Sequence, residues 1–153
     1  MLELRTTTNI FELPVNKDNA VCITTNSIIK RNGYAVMGAG IAKEADNRYH
    51  LGKELAEHLQ SSGNVPHVFN ATGKNGCKLI SFPTKFHWQN PSLPKLIQRS
   101  AELLVELCNA NNISKCYLTP PGCGCGGLDW ETQVKPILAP ILDDHFVVVF
   151  LQK

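Results

Sequence analysis

Pro120-Pro121-Gly122-Cys123-Gly124-Cys125-Gly126-Gly127-Leu128-Asp129-Trp130 packs four glycines into six positions, after an apolar run and before a helical pattern. Without a Cβ, glycine lets backbone N–H groups close on a ligand, and a following helix N-terminus adds a favourable partial charge for an anion. A second loop of this kind, Val36-Met37-Gly38-Ala39-Gly40-Ile41-Ala42, lies upstream and also opens a helix. Two such loops in one small chain predict a diphosphate gripped from both sides.

Outward from these loops the pattern alternates between strand and helix. Strands are predicted at Leu2 to Arg5, Ala20 to Thr24, His67 to Asn70, Lys78 to Phe82, Cys116 to Thr119 and His145 to Leu151. The last of these is apolar on both faces and therefore central. Gly73-Lys74-Asn75-Gly76 has hairpin-turn chemistry between the third and fourth. Helices are predicted over Ile41 to Leu59, interrupted at Gly52 and stopped by Gly63, and from an N-cap at Ser92 to Asn112. A third runs from Trp130 to Leu142, bent or restarted at Pro136 and Pro140, with Asp129 as its cap. Helices alternating with apolar strands give an α/β, largely parallel sheet with some antiparallel pairing. Ligands of such sheets sit beyond the carboxyl ends of the strands, where both glycine loops fall.

Composition narrows the class. The 153 residues are 43% hydrophobic with a formal net charge of +2, enough for one core and one domain, and too little charge for a bulk nucleic-acid binder. The six cysteines include no CxxC pair, and no secretory signal precedes them, so reduced thiols in a cytoplasmic protein are expected. Cys123 and Cys125 sit among glycines and read as small residues, so no metal is expected. No apolar run approaches about 18 residues, and no membrane partner is expected.

Standard nucleotide signatures fit poorly. Gly38-Ala39-Gly40-Ile41-Ala42-Lys43 lacks the third glycine of a dinucleotide fingerprint, and the G-K-[ST] of a P-loop is absent. The chain instead resembles the macrodomain family, whose members bind ADP-ribose. The resemblance rests on Thr8-Asn9-Ile10-Phe11, Ile23-Thr24-Thr25-Asn26, Met37-Gly38-Ala39-Gly40-Ile41-Ala42 and the Gly122 to Trp130 loop, and it spans nearly the whole chain. It implies a three-layer α-β-α macrodomain fold with a central mixed, largely parallel sheet, over 1–153 as a single macrodomain. Phe82-Pro83-Thr84-Lys85-Phe86-His87-Trp88 is most similar to the branch holding DNA ADP-ribosyl glycohydrolase antitoxins (DarG-like) and terminal ADP-ribose glycohydrolases, where a lysine serves in catalysis. The terminal-glycohydrolase relatives carry an aspartate in the second glycine loop. Gly126 stands there in this chain, as in the DNA-directed relatives. Ile23 departs from the asparagine of many macrodomains, and Asn26 alone of that pair remains.

By this resemblance Asn9 meets the adenine amino group with the Ile10 amide beside it. Gly38, Ala39, Gly40, Ile41 and Ala42 hold the diphosphate together with Pro121, Gly122, Cys123, Gly124, Cys125, Gly126 and Gly127. Asn26 orients the distal ribose, and Lys85 carries the chemistry at C1″. Glycosidic cleavage passes through an oxocarbenium-like state that most glycosidases stabilise with paired carboxylates. No such pair belongs to these motifs. A neutral lysine attacks C1″ as a nucleophile, whereas a cationic one donates a proton or clamps the substrate; burial favours the first form and a nearby diphosphate the second, so both roles are open. Phe86, His87 and Trp88 form a rim suited to stack on an extruded nucleobase, with Lys30, Arg31 or Lys85 meeting phosphates; core packing is the other reading of Phe86 and Trp88. Trp130 is expected under the glycine loop, away from ligand.

The function implied is an ADP-ribosyl glycohydrolase acting on a modified macromolecule, DNA favoured, without a cofactor. An ADP-ribose 1″-phosphate phosphatase and a non-catalytic ADP-ribose reader are the alternatives. Antitoxin relatives usually carry a further C-terminal region, and this chain ends after its last strand, so a toxin partner is not expected.

Overall fold

A computed structural model describes residues 3–7 and 9–151. Leu2, expected to open the first strand, and Thr8 lie outside those residues. Six strands form one sheet: β1 (Glu3–Thr7), β2 (Asn19–Thr25), β3 (Val68–Thr72), β4 (Lys78–Pro83), β5 (Lys115–Leu118) and β6 (Phe146–Leu151), in the spatial order β1-β6-β5-β2-β4-β3. All pairings are parallel except β3 with β4, which the turn at Gly73 to Cys77 reverses, with Gly73 N–H donating to Cys77 O at 2.9 Å.

Alternation along the strands sorts side chains into two cores. Val21, Ile23, Leu79, Val147 and Val149 point to one face, covered by α1 (Gly40–Tyr49) and α2 (Gly52–Ser62) through Ala45, Leu51, Leu55 and Ala56. Ala20, Cys22, Ile80, Phe82, Phe146 and Val148 point to the other, covered by α3 (Pro94–Ala110) and α4 (Lys135–Leu138) through Ile97, Ala101, Leu104 and Leu138. This is the three-layer α/β arrangement expected, and β6, flanked by β1 and β5, is internal as its two-sided apolarity requires. All six cysteines are free, four of them buried. Among the described residues no helix is long and apolar enough to cross a membrane.

The interruption expected at Gly52 is present: the helix from Ile41 is two helices, because His50 takes the left-handed conformation (φ 54°) and Gly52 begins α2, its N–H bound to Asp46 Oδ1. Two boundaries differ from the sequence reading. Ser92 does not cap α3. Pro94 fixes the first turn and holds Leu93 extended before it, so the helix starts later and the Ser92 side chain turns inward. Downstream, Trp130–Val134 forms a wide π-type turn that tightens into α4 at Pro136. Asp129 caps that turn as expected. Its carboxylate accepts the Thr132 hydroxyl at 2.7 Å and amide at 2.9 Å, which holds it below the ordinary aspartate range.

Candidate functional site

The carboxyl ends of four adjacent parallel strands open into one cavity of about 780 Å³, within the size range of small-molecule sites. Thr24 and Thr25 reach it from β2, Thr84 and Lys85 from the end of β4, Thr119 and Pro120 from beyond β5, and Val149 to Leu151 from β6. Both glycine loops line it. The first contributes Gly38 to Ala42, the second Gly122 to Gly126.

The first loop ends in an uncapped helix. Ala39 is the N-cap of α1, offers no side-chain hydrogen bond, and no acidic residue occupies the first turn. Among the described residues, no N–H of Gly38 to Ala42 donates to a protein acceptor, nor does any of Gly124, Cys125 or Gly126. Those eight backbone donors border one cavity without protein partners; Gly38, Ala39, Gly40, Gly124 and Cys125 are exposed, so they are open to solvent or to an acceptor in the cavity.

The glycines of the second loop divide into two kinds. A Cβ on Gly122, at φ +77°, would meet Ile97 Cδ1 and Ser92 Cβ at 2.9 Å, and a Cβ on Gly126 would collide with Ser92 Oγ and the Gly122 backbone. Those two are glycine because the protein leaves no room. Gly124, like Gly38 in the first loop, has nothing within 4 Å of such a Cβ. At both, the protein leaves open space.

Lys85 sits half-buried on a tightly held backbone. Thr84 N–H donates to Thr25 O at 3.1 Å, Asn64 Nδ2 to Lys85 O at 3.1 Å, and both the amide and the hydroxyl of Ser27 to Phe86 O. Its Nζ donates to Trp88 O at 3.4 Å and has no acidic partner among the described residues. Asn26 lines the cavity across from it. Its Nδ2 binds Val36 O at 3.2 Å and its Oδ1 accepts Ile28 N–H at 3.0 Å, so the side chain also closes an Asx turn and ties the β2 end to the first glycine loop.

Not every expected residue joins the cavity. Asn9, Ile10, Pro121, Gly127, Phe86 and His87 are absent from its wall. Asn9 Oδ1 accepts Phe11 N–H at 3.0 Å, capping the 3-10 turn Ile10–Glu12. That turn follows β1, which pairs Thr7 with Leu151, so it lies at the β6 end of the cavity. Of the aromatic rim, only Trp88 lines the cavity; it is 49% exposed and stacked on His87 with ring centroids 5.5 Å apart. Phe86, 53% exposed, instead borders a neighbouring groove with Leu93, Lys95 and Arg99. Lys30 and Arg31 are exposed on the small hairpin closed by Ile29 and Ala35, outside the cavity.

Sequence reasoning missed Thr25, Thr84, Ser92, Thr119 and the β6 end, and it placed Trp130 away from ligand. Trp130 does pack edge-on against Phe150, at 5.6 Å between centroids, but both rings line the cavity. In the CxC, burial and nearby Asp129 push the Cys123 thiol up to about 11, unlike a thiolate ligand. Among the described residues one group has metal-ligand spacing, Asp143, Asp144 and His145, exposed before β6 at the opposite end of the sheet.

Comparison with known proteins adds sequence and shape together. No family model matches the chain. It is 35% identical over 105 residues to a DNA ADP-ribosyl glycohydrolase of Mycobacterium tuberculosis, a match covering 65% of this chain and 30% of that protein. The chain thus spans about a third of the length of that relative. Among solved structures it is similar to the macrodomain of Mycobacterium tuberculosis DarG, with a TM-score of 0.78, 26% identity and 98% of each chain covered. The macrodomain of Thermus aquaticus DarG gives 0.75 and 26%, covering 99% of this chain and 100% of that one. A structure of Thermosipho africanus DarTG in complex with ADP-ribose gives 0.68 and 24%, covering 88% of this chain and 38% of that one.

Proposed function

The chain is a macrodomain of the DarG-like kind, and from that we propose that it binds ADP-ribose and removes it hydrolytically from a modified macromolecule, with a DNA nucleobase the favoured carrier. The observation that carries the reading is the set of eight unpaired backbone N–H groups on two loops around one cavity. Such a set suits a diphosphate, which offers only acceptors. The relatives named for DNA ADP-ribosyl glycohydrolase activity and the ADP-ribose complex of Thermosipho africanus DarTG support the same ligand.

The strand order supports one direction for the ligand. Trp130, Val149, Phe150 and Leu151 at the β6 end form an apolar wall for adenine, with Asn9 and Ile10 beyond it. The cap to Phe11 leaves Asn9 Oδ1 a second lone pair for the adenine amino group. The diphosphate then lies between the glycine loops, over β5 and β2. The distal ribose comes to Asn26 and Lys85 at the ends of β2 and β4.

Lys85 is the catalytic residue of this reading. As a nucleophile, its neutral Nζ supplies an electron pair to C1″ while the bond from C1″ to the carrier breaks. The carrier leaves with that bonding pair and takes up a proton. The ribose ring opens to an imine on Lys85, and water then adds to C1″, freeing the amine and ADP-ribose. In the acid version Nζ starts cationic and gives a proton to the carrier as the C1″ bond breaks; water then adds to the oxocarbenium-like C1″, and the proton it sheds restores the ammonium. The reading is tested by offering the protein ADP-ribosylated DNA, ADP-ribosylated protein and ADP-ribose 1″-phosphate separately. ADP-ribose is expected from the DNA; release from 1″-phosphate alone would make it a phosphatase, and binding without release a reader.

The preference for DNA draws on the groove beside the cavity, where an exposed aromatic, Phe86, lies next to two cations, Lys95 and Arg99. Aromatic and cationic groups in one track suit a single strand, with stacking worth about 1–3 kcal/mol per base. Phe86→Ala combined with Arg99→Glu should therefore cut kcat/KM on an ADP-ribosylated oligonucleotide by roughly 30-fold. Free ADP-ribose affinity, measured by calorimetry, should stay within about twofold, since neither residue lines the cavity. Equal losses in both measurements would remove the strand from that groove.

A further inference from the structure

Four buried side-chain polar atoms have no hydrogen-bond partner among the described residues, and three of them, Thr25 Oγ1, Ser92 Oγ and Trp130 Nε1, belong to residues of the cavity wall. Buried polar groups are rarely left unpaired, because each costs its desolvation without return. Their gathering at one cavity points to partners that arrive with the ligand. Ser92 is the most informative of the three. It is 3% exposed, and its Oγ fills the space that a side chain on Gly126 would take.

The backbone around Ser92 is fixed from both sides. Its N–H donates to Gly126 O at 2.9 Å, and the next amide, Leu93 N–H, donates to Thr84 O at 2.8 Å. Ser92 therefore joins the second glycine loop to the strand end that carries Lys85. Only the side chain retains freedom, through rotation about χ1 among staggered wells. We infer that Ser92 is a positioning residue of this site, whose hydroxyl lies unpaired beneath Gly126 in the free protein and turns to a substrate oxygen of the distal ribose or its phosphate in the complex. The inference rests on the ADP-ribose reading above. Its consequence is that ligand binding relieves a cost already present in the free protein, and so the hydroxyl favours the complex over the free state.

Ser92→Ala tests this through two readouts that move in opposite senses. It removes an unpaired buried hydroxyl without removing a protein hydrogen bond, so the melting temperature of the free variant should equal or exceed that of the parent. ADP-ribose affinity by calorimetry should fall about tenfold, the scale of one well-made hydrogen bond. A lower melting temperature of the free variant would make the hydroxyl a structural group and overturn the inference. Unchanged affinity would overturn it as well. A parent protein that fails to bind ADP-ribose would be seen before any variant is made, and would remove the reading of the site and this role together.

Discussion

Lys85→Ala should leave ADP-ribose affinity within about threefold of the parent while lowering the rate of hydrolysis by roughly 100- to 10,000-fold, the range of a lost acid, base or nucleophile. The separation follows from where each interaction is made. On the proposed reading the diphosphate meets backbone donors on loops that the substitution does not touch, and such contacts are equally strong before and during reaction. The role proposed for Lys85 lies where charge and bonding change, so its loss should fall on the transition state. Apart from the exposed 3.4 Å bond from Nζ to Trp88 O, the bonds around Thr84, Lys85 and Phe86 involve no Lys85 side-chain atom, so the alanine variant should fold as the parent does. Borohydride added during turnover distinguishes the two chemical roles: a nucleophile leaves a reduced adduct on Lys85 by mass spectrometry, and an acid leaves none. Near-parent hydrolysis by Lys85→Ala would remove lysine catalysis.

The second large effect separates the two kinds of glycine. Gly124→Val and Gly38→Val each place a side chain where the protein is empty, so both should fold with a melting temperature close to the parent and lose ADP-ribose affinity by more than about 100-fold. Gly40 serves this test less well, because its φ of +57° would strain any substitute. Gly126→Ala should behave differently. Its Cβ would collide with Ser92 Oγ and the Gly122 backbone, so the loop must shift and stability and binding should fall together. Calorimetry beside thermal denaturation reads both quantities. Retained affinity in well-folded Gly124→Val would remove the second loop from the diphosphate site.

The contrast explains what the sequence discloses and what it withholds. Strand and helix order is legible because it is written in local periodicity: Phe-Val-Val-Val-Phe-Leu over 146–151 can only be an internal strand. The two loops are legible because glycine clusters are rare and their position before helices has a single cheap explanation. Ser92 is misread for an instructive reason. A serine shortly before a helix is ordinarily its cap, but Pro94 resets the start of α3 and leaves Ser92 to the cavity. Thr25, Thr84, Trp130 and Phe150 carry no local signal, since only the sheet order brings the ends of β2, β4 and β6 to one place. Asn9 has a local role as a turn cap that its sequence context announces, and any contact with ligand lies beyond what that context contains.

The bonds from Thr84 to Thr25, from Leu93 to Thr84 and from Ser92 to Gly126 join the loops after β2, β4 and β5 into one ladder. Those loops are distant in sequence, yet opening any one of them breaks a bond to the next. In hydrogen exchange their amides should protect as a single cooperative unit, lost in one step rather than by fraying of separate segments. Substitutions in that corner should therefore couple rather than add. A change tolerated in any other surface loop would here disturb the lysine strand, the glycine loop and the entrance to α3 at once, so new specificity is more accessible through the exposed groove residues than through the ladder itself.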